Sequence, residues 1–504
     1  MEAKLQELKR RLMEAGDLGY IQSVLGWDQS TYMPNGGAAA RGRQLGLLQA
    51  LAHQKFTDPE IGRLLDELQP YADDLPYESD EASLIRVTRR NYERLTRVPT
   101  PFVAEMSEHG AVAYSAWAAA RPANDFASVA PLLEKTLDYS RRLADFFPGY
   151  QHVADPLIDF SDYGMKAESV RAIFAQLRDR LVPLVEQVTS QSPLDDSPIK
   201  KHYPQAAQLA FSEQVARQIG YDFQRGHLDL THHPFMTKFS IGDVRITTRV
   251  REDDFTDCFF SVVHEVGHAL YEQGINPAYE ALPLDGGTSA GVHESQSRLW
   301  ENIVGRSYGF WEYLYPQAQA AFPDQLGDVD LDTFYRAINK VQRSLIRTDA
   351  DELTYNLHVM LRFELELEML EGALAIRDLP EAWHDRYQRS LGITAPDNRD
   401  GVLQDVHWYA GQIGGGFQGY TLGNILSGVF YSAALKAIPE IPQQIRQGEF
   451  NTLLTWLQQN IYQHGSKFTT SELIERVTGS DLTIEPYLDY LTGKYGALYS
   501  LGNT

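Results

Sequence analysis

The sequence predicts a mainly α-helical body in two lobes around a cleft, with a small β-hairpin or sheet placed just before its chief motif. Three observations carry this. Apolar residues recur at helical spacing through most of the chain, one short segment alternates with period two, and none of the Pro/Gly/Asp-rich breaks (near 34–37, 192–204, 276–287 and 394–401) has the character of a flexible linker. The chain is therefore read as a single domain spanning 1–504.

In chain order, Leu5, Leu8 and Leu12 open an amphipathic helix with Lys and Arg on its other face. Similar spacing runs through 80–147 and 166–192. Residues 239–250 differ: Val244, Ile246 and Val250 alternate with Arg245, Thr247 and Arg249 behind a Gly242-Asp243 turn signal, which predicts a hairpin. A helix follows from about Asp254 to Gln273, started by Asp253 or Asp254 and ended at Gly274. Its apolar stripe is Phe255, Phe259, Val262, Val263, Val266 and Leu270. Leu353, Leu357, Met360, Leu361 and Leu365 line one side of a further helix, expected to begin at Ile346–Asp351.

Bulk properties exclude some functions. There are 45 Lys and Arg against 68 Asp and Glu, a formal net charge of −23, which repels polyanions and argues against a nucleic-acid partner. One cysteine, Cys258, permits no intrachain disulfide and fits a reducing compartment. The charged N-terminal stretch lacks the apolar core of a signal peptide, and no apolar run reaches the roughly 18 residues of a membrane span. A cytoplasmic protein without a membrane partner is expected.

The strongest chemical signal is His264-Glu265-Val266-Gly267-His268. Residues four apart share a helix face, so both imidazoles can reach one ion, and Glu265 can aim at a water on it. Catalytic zinc sites have three protein ligands and an open position, and a nearby carboxylate then serves as general base. Tyr271 and Gly274 stand where a metzincin would need Gly and His, so the third ligand lies on a later element. Glu294 fits best, at the start of a helical segment after a Gly/Pro-rich connection; Glu272, Glu280 and Glu301 are rivals by distance alone.

Further clusters follow one another along the chain. They are His233-Pro234-Phe235, Asp243 to Thr247, His293 to Gln296, Ile346 to Asp351, and Gly401 to Trp408. With the central motif they read HPF, DxRxT, HExxH, HES/GQ, IRxxAD and GxxQDxHW, in that order, and Gly26 to Pro34 adds a further likeness. The chain thereby resembles the thermostable carboxypeptidase family of zinc metallocarboxypeptidases over almost its whole length. The resemblance implies a nearly all-helical, two-lobed body around a deep groove, with zinc at the groove floor beside the small sheet. It implies a homodimer that removes single residues from peptide C-termini with broad specificity and cleaves poorly near proline. It also implies a wider fold relation to angiotensin-converting-enzyme-like and neurolysin-like peptidases.

On that footing the metal ligands are His264, His268 and Glu294, and Glu265 is the base. Cobalt or manganese can replace zinc on the same ligands. His407 and Tyr420 are candidate donors to the oxyanion by likeness to related sites, and Asp405 is a candidate partner for the His407 ring. A terminal carboxylate suits a planar guanidinium, which makes Arg347 the first choice and Arg245 the second, with His233 as a further peptide contact. Asp351 is expected to orient Arg347 from one turn away, and Arg245 to lean on Asp243 or on a ligand glutamate. Gly414-Gly415-Gly416 replaces an aromatic stretch of the relatives and is expected to form a looser loop. The competing readings are an oligopeptidase or dipeptidyl carboxypeptidase, and a helical scaffold that keeps zinc without catalysis.

Overall fold

A computed structural model describes residues 1–501, and it is mainly helical with one small sheet. The N-terminal helix, Glu2–Thr31, buries Leu5, Leu8, Leu12 and Ala15, and nothing beyond them. Pro34-Asn35-Gly36-Gly37 breaks the chain, and the helix Ala38–Phe56 returns along the first while burying none of its residues. Leu5, Leu8 and Leu12 pack on Ile61, Leu64, Leu65 and Leu68 of the helix Pro59–Asp73, and on Leu84, Ile85 and Val87 of the helix Asp80–Arg97. Both of those helices have capped N-termini: Asp58 accepts from Glu60 N–H and Ser79 from Ala82 N–H, each satisfying a donor the helix leaves free. These residues form a small apolar core of their own. A much larger core gathers the helices from Thr100 onwards, so the interior divides unequally into two.

The helix expected from Asp254 runs Phe255–Gln273, with the Asp254 carboxylate accepting from Thr256 N–H and Gly274 at its C-terminus. The whole predicted stripe is buried, and so are Cys258, Phe260, Ala269 and Tyr271 on other faces. Neighbours therefore surround this helix, and its two histidines are the partly exposed residues of its central turns. The helix Ala290–Arg298 lies against it so closely that a Cβ on Gly267 would sit 2.5 Å from the Ser297 Cα. On its other side, a Cβ on Gly423 of the helix Gln418–Ala437 would sit 2.5 Å from Glu294 Cγ. Small residues on both sides thus let the Glu294 backbone approach the histidines.

The predicted hairpin is present as strands β2 (Met236–Ser240) and β3 (Asp243–Thr248), with an irregularity in register between Lys238 and Ser240. The sequence did not anticipate β1 (Leu228–Leu230), which pairs parallel to β3 and makes β3 the central strand. Val244 and Ile246 point into the large core with the metal helix, so Arg245 takes the opposite face.

The expectation at 346–351 needs correction. Arg347–Asp349 is one 3₁₀ turn, Ala350 is extended, and the helix begins at Tyr355 and runs to Glu371. Asp351 explains the delay: its carboxylate accepts from the N–H groups of Leu353 and Thr354, the Thr354 hydroxyl and Gln342 N–H. These local bonds hold the chain in a turn ahead of the helix. Asp351 therefore does not orient Arg347.

Candidate metal centre

His264 and His268 lie one turn apart, their rings edge to face with centroids 4.9 Å apart. Glu294 reaches across from the next helix, whose start is fixed by Ser289 accepting from Val292 N–H. Its Oε2 lies 3.8 Å from His264 Nε2 and 3.4 Å from His268 Nε2. Donors on a tetrahedral zinc ion are about 3.3–3.4 Å from one another, given metal–ligand distances near 2.0–2.1 Å. Two imidazoles and one carboxylate, with potential ligand atoms all within 4.8 Å, match the donor set of an open catalytic zinc site.

The rival glutamates have other duties. Glu301 Oε2 lies 2.9 Å from His264 Nδ1, behind the ring as seen from the cluster. A π-helical segment, Leu299–Val304, carries Glu301 and continues directly from the Glu294 helix. Arg298 bridges the two carboxylates, with Nε 2.7 Å from Glu294 Oε1 and Nη1 3.2 Å from Glu301 Oε2. Glu272 accepts from His293, whose other nitrogen meets His268, while Glu280 accepts Ile241 N–H, away from the cluster. Burial opposes charge on Glu294, but Arg298 and the two imidazoles outweigh it and hold the carboxyl well below its ordinary range. Glu301 is brought down to about 2 in the same way, burial being overcome by Arg298 and His264.

Glu265 is buried beside this cluster, and that burial lifts its carboxyl to about 7. The His264 charge and the Met236 N–H of β2 act in the opposite direction, while Glu294 and Glu301 add to the rise. A carboxylate so placed is basic enough to take a proton from water near neutrality.

A further wall carries His407 and Tyr420, and Tyr420 is near enough to Glu294 to feel its charge. His407 Nε2 lies 3.3 Å from the Tyr420 hydroxyl, and the Phe417 ring packs tilted against His407 with centroids 4.6 Å apart. Burial brings His407 down to about 4, so its ring is neutral at pH 7 and offers one N–H. His233 lies in the exposed turn before β2. Asp405 does not hold the His407 ring: the separation from Nδ1 is 3.6 Å, beyond a hydrogen bond. Two buried guanidinium groups claim Asp405 instead. Arg347 donates to Oδ1 from Nε at 3.2 Å and Nη2 at 2.8 Å, and Arg362 donates to Oδ2.

Arg347 also donates from Nη1 to the Tyr355 hydroxyl at 3.1 Å, and its carbon lies 5.3 Å from the Tyr420 ring centre. These bonds leave one N–H on each terminal nitrogen for a further acceptor. Arg245 is not brought to the cluster. It clasps Asp243 at 2.9 and 2.8 Å and lies over Trp27 and Phe239, on the strand face turned away from the metal helix. The loop at 414–416 is tied down, since the Gly415 carbonyl accepts from Ser161 at 2.7 Å and from Gln418 at 3.0 Å.

Sequence reasoning missed Arg298, Tyr355 and Arg362, and gave Glu301 and Glu272 only as rival ligands. Spacing carries a signal for two of them. Arg298 is four residues and Glu301 seven residues beyond Glu294, on the same helical side. Arg362 stands in the helix Tyr355–Glu371 with 0% of its surface exposed, a position arginine occupies only when paired.

A helical body that sets two histidines, a glutamate and a buried second glutamate around one point is that of an HExxH metallopeptidase. Residues 7–495 match the family described as carboxypeptidase Taq (M32) metallopeptidase. Thermostable carboxypeptidase 1 of Thermus thermophilus is 40% identical, with 99% of each chain covered, and carboxypeptidase 1 of Bacillus subtilis is 36% identical over 95% of each. The crystal structure of the M32 carboxypeptidase from Deinococcus radiodurans superposes with a TM-score of 0.96 at 52% identity, covering 99% of this chain and all of that one. The chain belongs to the M32 carboxypeptidase family and is a metallocarboxypeptidase.

Proposed function

We propose that the enzyme removes single residues from the C-termini of peptides, with broad specificity, using zinc held by His264, His268 and Glu294. The observation that carries this reading is the convergence of these three side chains beside buried Glu265, with Tyr420, which packs with Arg347 and His407, near enough to Glu294 to feel its charge. A divalent cation so held supplies Lewis acidity to the scissile carbonyl and the attacking water.

The protein does the rest. Glu265 takes the proton of the water and returns it to the departing amine. His407 and Tyr420 donate to the carbonyl oxygen as it gains charge. Arg347 receives the terminal carboxylate through its two free N–H groups, which sets the cut one residue from the end. Strand β2 lies at the sheet edge, where an extended peptide can add as a further strand, with His233 at its entrance. Arg245 enters this reading as a brace for β3 and Trp27 and makes no contact with the peptide.

The whole chain acts as one catalytic unit in this reading. The cytoplasmic setting rests on the single cysteine, which fits a reducing compartment, and the homodimer rests on the family resemblance. Among the described residues, no helix is long and apolar enough to cross a membrane.

The test is mass spectrometry of an N-terminally blocked peptide incubated with zinc-loaded protein. A ladder losing one C-terminal residue per step is expected, stopped by a chelator and restored by zinc or cobalt. Loss of dipeptides or internal cuts would put an oligopeptidase in its place, and no cleavage with zinc bound would bring the scaffold reading forward. For the metal itself, Glu294→Ala is expected to weaken zinc binding by more than about 100-fold, since removing a direct ligand exceeds the usual cost of removing a supporting group. Stoichiometric zinc in that variant after dialysis would place the third ligand elsewhere.

A further inference from the structure

The two histidine ligands are supported differently. Behind His264 stands a carboxylate, Glu301. Behind His268 stands another imidazole: His268 Nδ1 and His293 Nδ1 are 2.6 Å apart. His293 Nε2 lies 2.8 Å from Glu272 Oε1, and Glu272 Oε2 accepts from Lys238 Nζ at 2.9 Å. Lys238 also donates to Asp285, which in turn accepts the Tyr20 hydroxyl of the N-terminal helix and Ala281 N–H. Glu272 and the Asp285 side chain are both nearly inaccessible to water.

Every bond in this chain has a direction. Lys238 can only donate, so Glu272 is held as an acceptor. Glu272 therefore takes a hydrogen from His293 Nε2, and an imidazole that carries its single hydrogen there has a bare Nδ1. That bare nitrogen accepts from His268 Nδ1. His268 then carries its hydrogen on Nδ1 and keeps Nε2 free, facing Glu294 at 3.4 Å. The reverse arrangement would place a hydrogen on His268 Nε2, where it would occupy the position a cation needs. Rings on both sides fix the orientation of His293, with centroids 4.7 Å from His268 and 5.2 Å from Tyr271.

We propose that His293 is a positioning residue for the metal site: backed by Glu272 and Lys238, it holds His268 in the one tautomer that can bind zinc. The proposal rests on the metal reading above. A ligand histidine is ordinarily oriented by a carboxylate, a carbonyl or water, and here the carboxylate acts one ring further away.

The experiment measures the zinc dissociation constant of the full-length apo protein by competition with a chromophoric chelator, alongside the visible spectrum of the cobalt-loaded form. His293→Leu removes the acceptor, and His293→Gln keeps both functions, a carbonyl oxygen towards His268 and an N–H towards Glu272. Removing an outer partner of a metal ligand typically costs 10–100-fold, so the Leu variant is expected to bind zinc about 10–100-fold more weakly with an altered cobalt spectrum, and the Gln variant within roughly 3-fold of native. Glu272→Gln should weaken binding in the native background and add nothing to His293→Leu, because both changes break one chain. Circular dichroism establishes that each variant is folded. Native affinity in folded His293→Leu, equal losses in the Leu and Gln variants, or full additivity with Glu272→Gln would overturn the proposal. If the native protein binds no zinc, or Glu294→Ala binds it as well as native, the metal assignment itself is at fault.

Discussion

Glu265→Gln is expected to retain zinc at native stoichiometry while kcat falls about 10²–10⁴-fold, the usual contribution of a positioned general base. Glutamine has the same shape but cannot accept a proton, so the substitution separates chemistry from binding. Glu265 lies outside the cluster of potential ligand atoms, which is the reason for expecting the ion to stay. Burial has already raised its carboxyl to about 7, matching the base to a reaction run near neutrality. The measurements are metal content after dialysis and single-turnover hydrolysis of a blocked peptide. Loss of zinc would make Glu265 a ligand, and native turnover would move the base to another residue.

Arg347→Ala is expected to lower kcat/KM for peptides with a free C-terminus by roughly 100-fold, because a buried ion pair with the substrate carboxylate contributes about 3 kcal/mol. Peptides amidated at the C-terminus should change little, because they do not present the charge that Arg347 reads. The comparison matters because Arg347 also holds Asp405 and Tyr355. A general loosening of the wall would slow both substrates alike, and equal losses would count against the carboxylate role. Arg362 remains on Asp405 in the variant, so that carboxylate is not left without a partner.

The chemical core of the site was legible because it is local. His264, Glu265 and His268 are placed by the pitch of one helix, and that helix is marked by its own cap and stripe. Glu294 was chosen by its place at the start of a helical segment and by the HES/GQ motif, from four glutamates that distance alone did not separate. The structure separates them through Gly267 and Gly423, which admit the Glu294 helix between its two neighbours. Glu301 and Glu272 then fall behind the histidines rather than among them. Arg347 was selected for its chemistry, but its partner was misplaced. Four residues separate it from Asp351, and that spacing binds two side chains only if a helix runs between them.

Arg245 shows the limit from the other side. Period two placed it correctly on a strand face, but alternation does not say which face meets the metal helix. What the sequence by itself determined is the helical class, the hairpin and the placing of His264, Glu265 and His268 together on one helix, because repeat spacing and caps are properties of neighbours along the chain. What only the tertiary structure decided is which glutamate meets the two histidines, which arginine joins His407 and Tyr420, and how Asp405 and His293 are bonded. Those outcomes depend on pairing buried charges and hydrogen-bond donors from segments far apart in sequence. A buried charge must find a partner, and which partner lies within reach is settled only when the helices have packed.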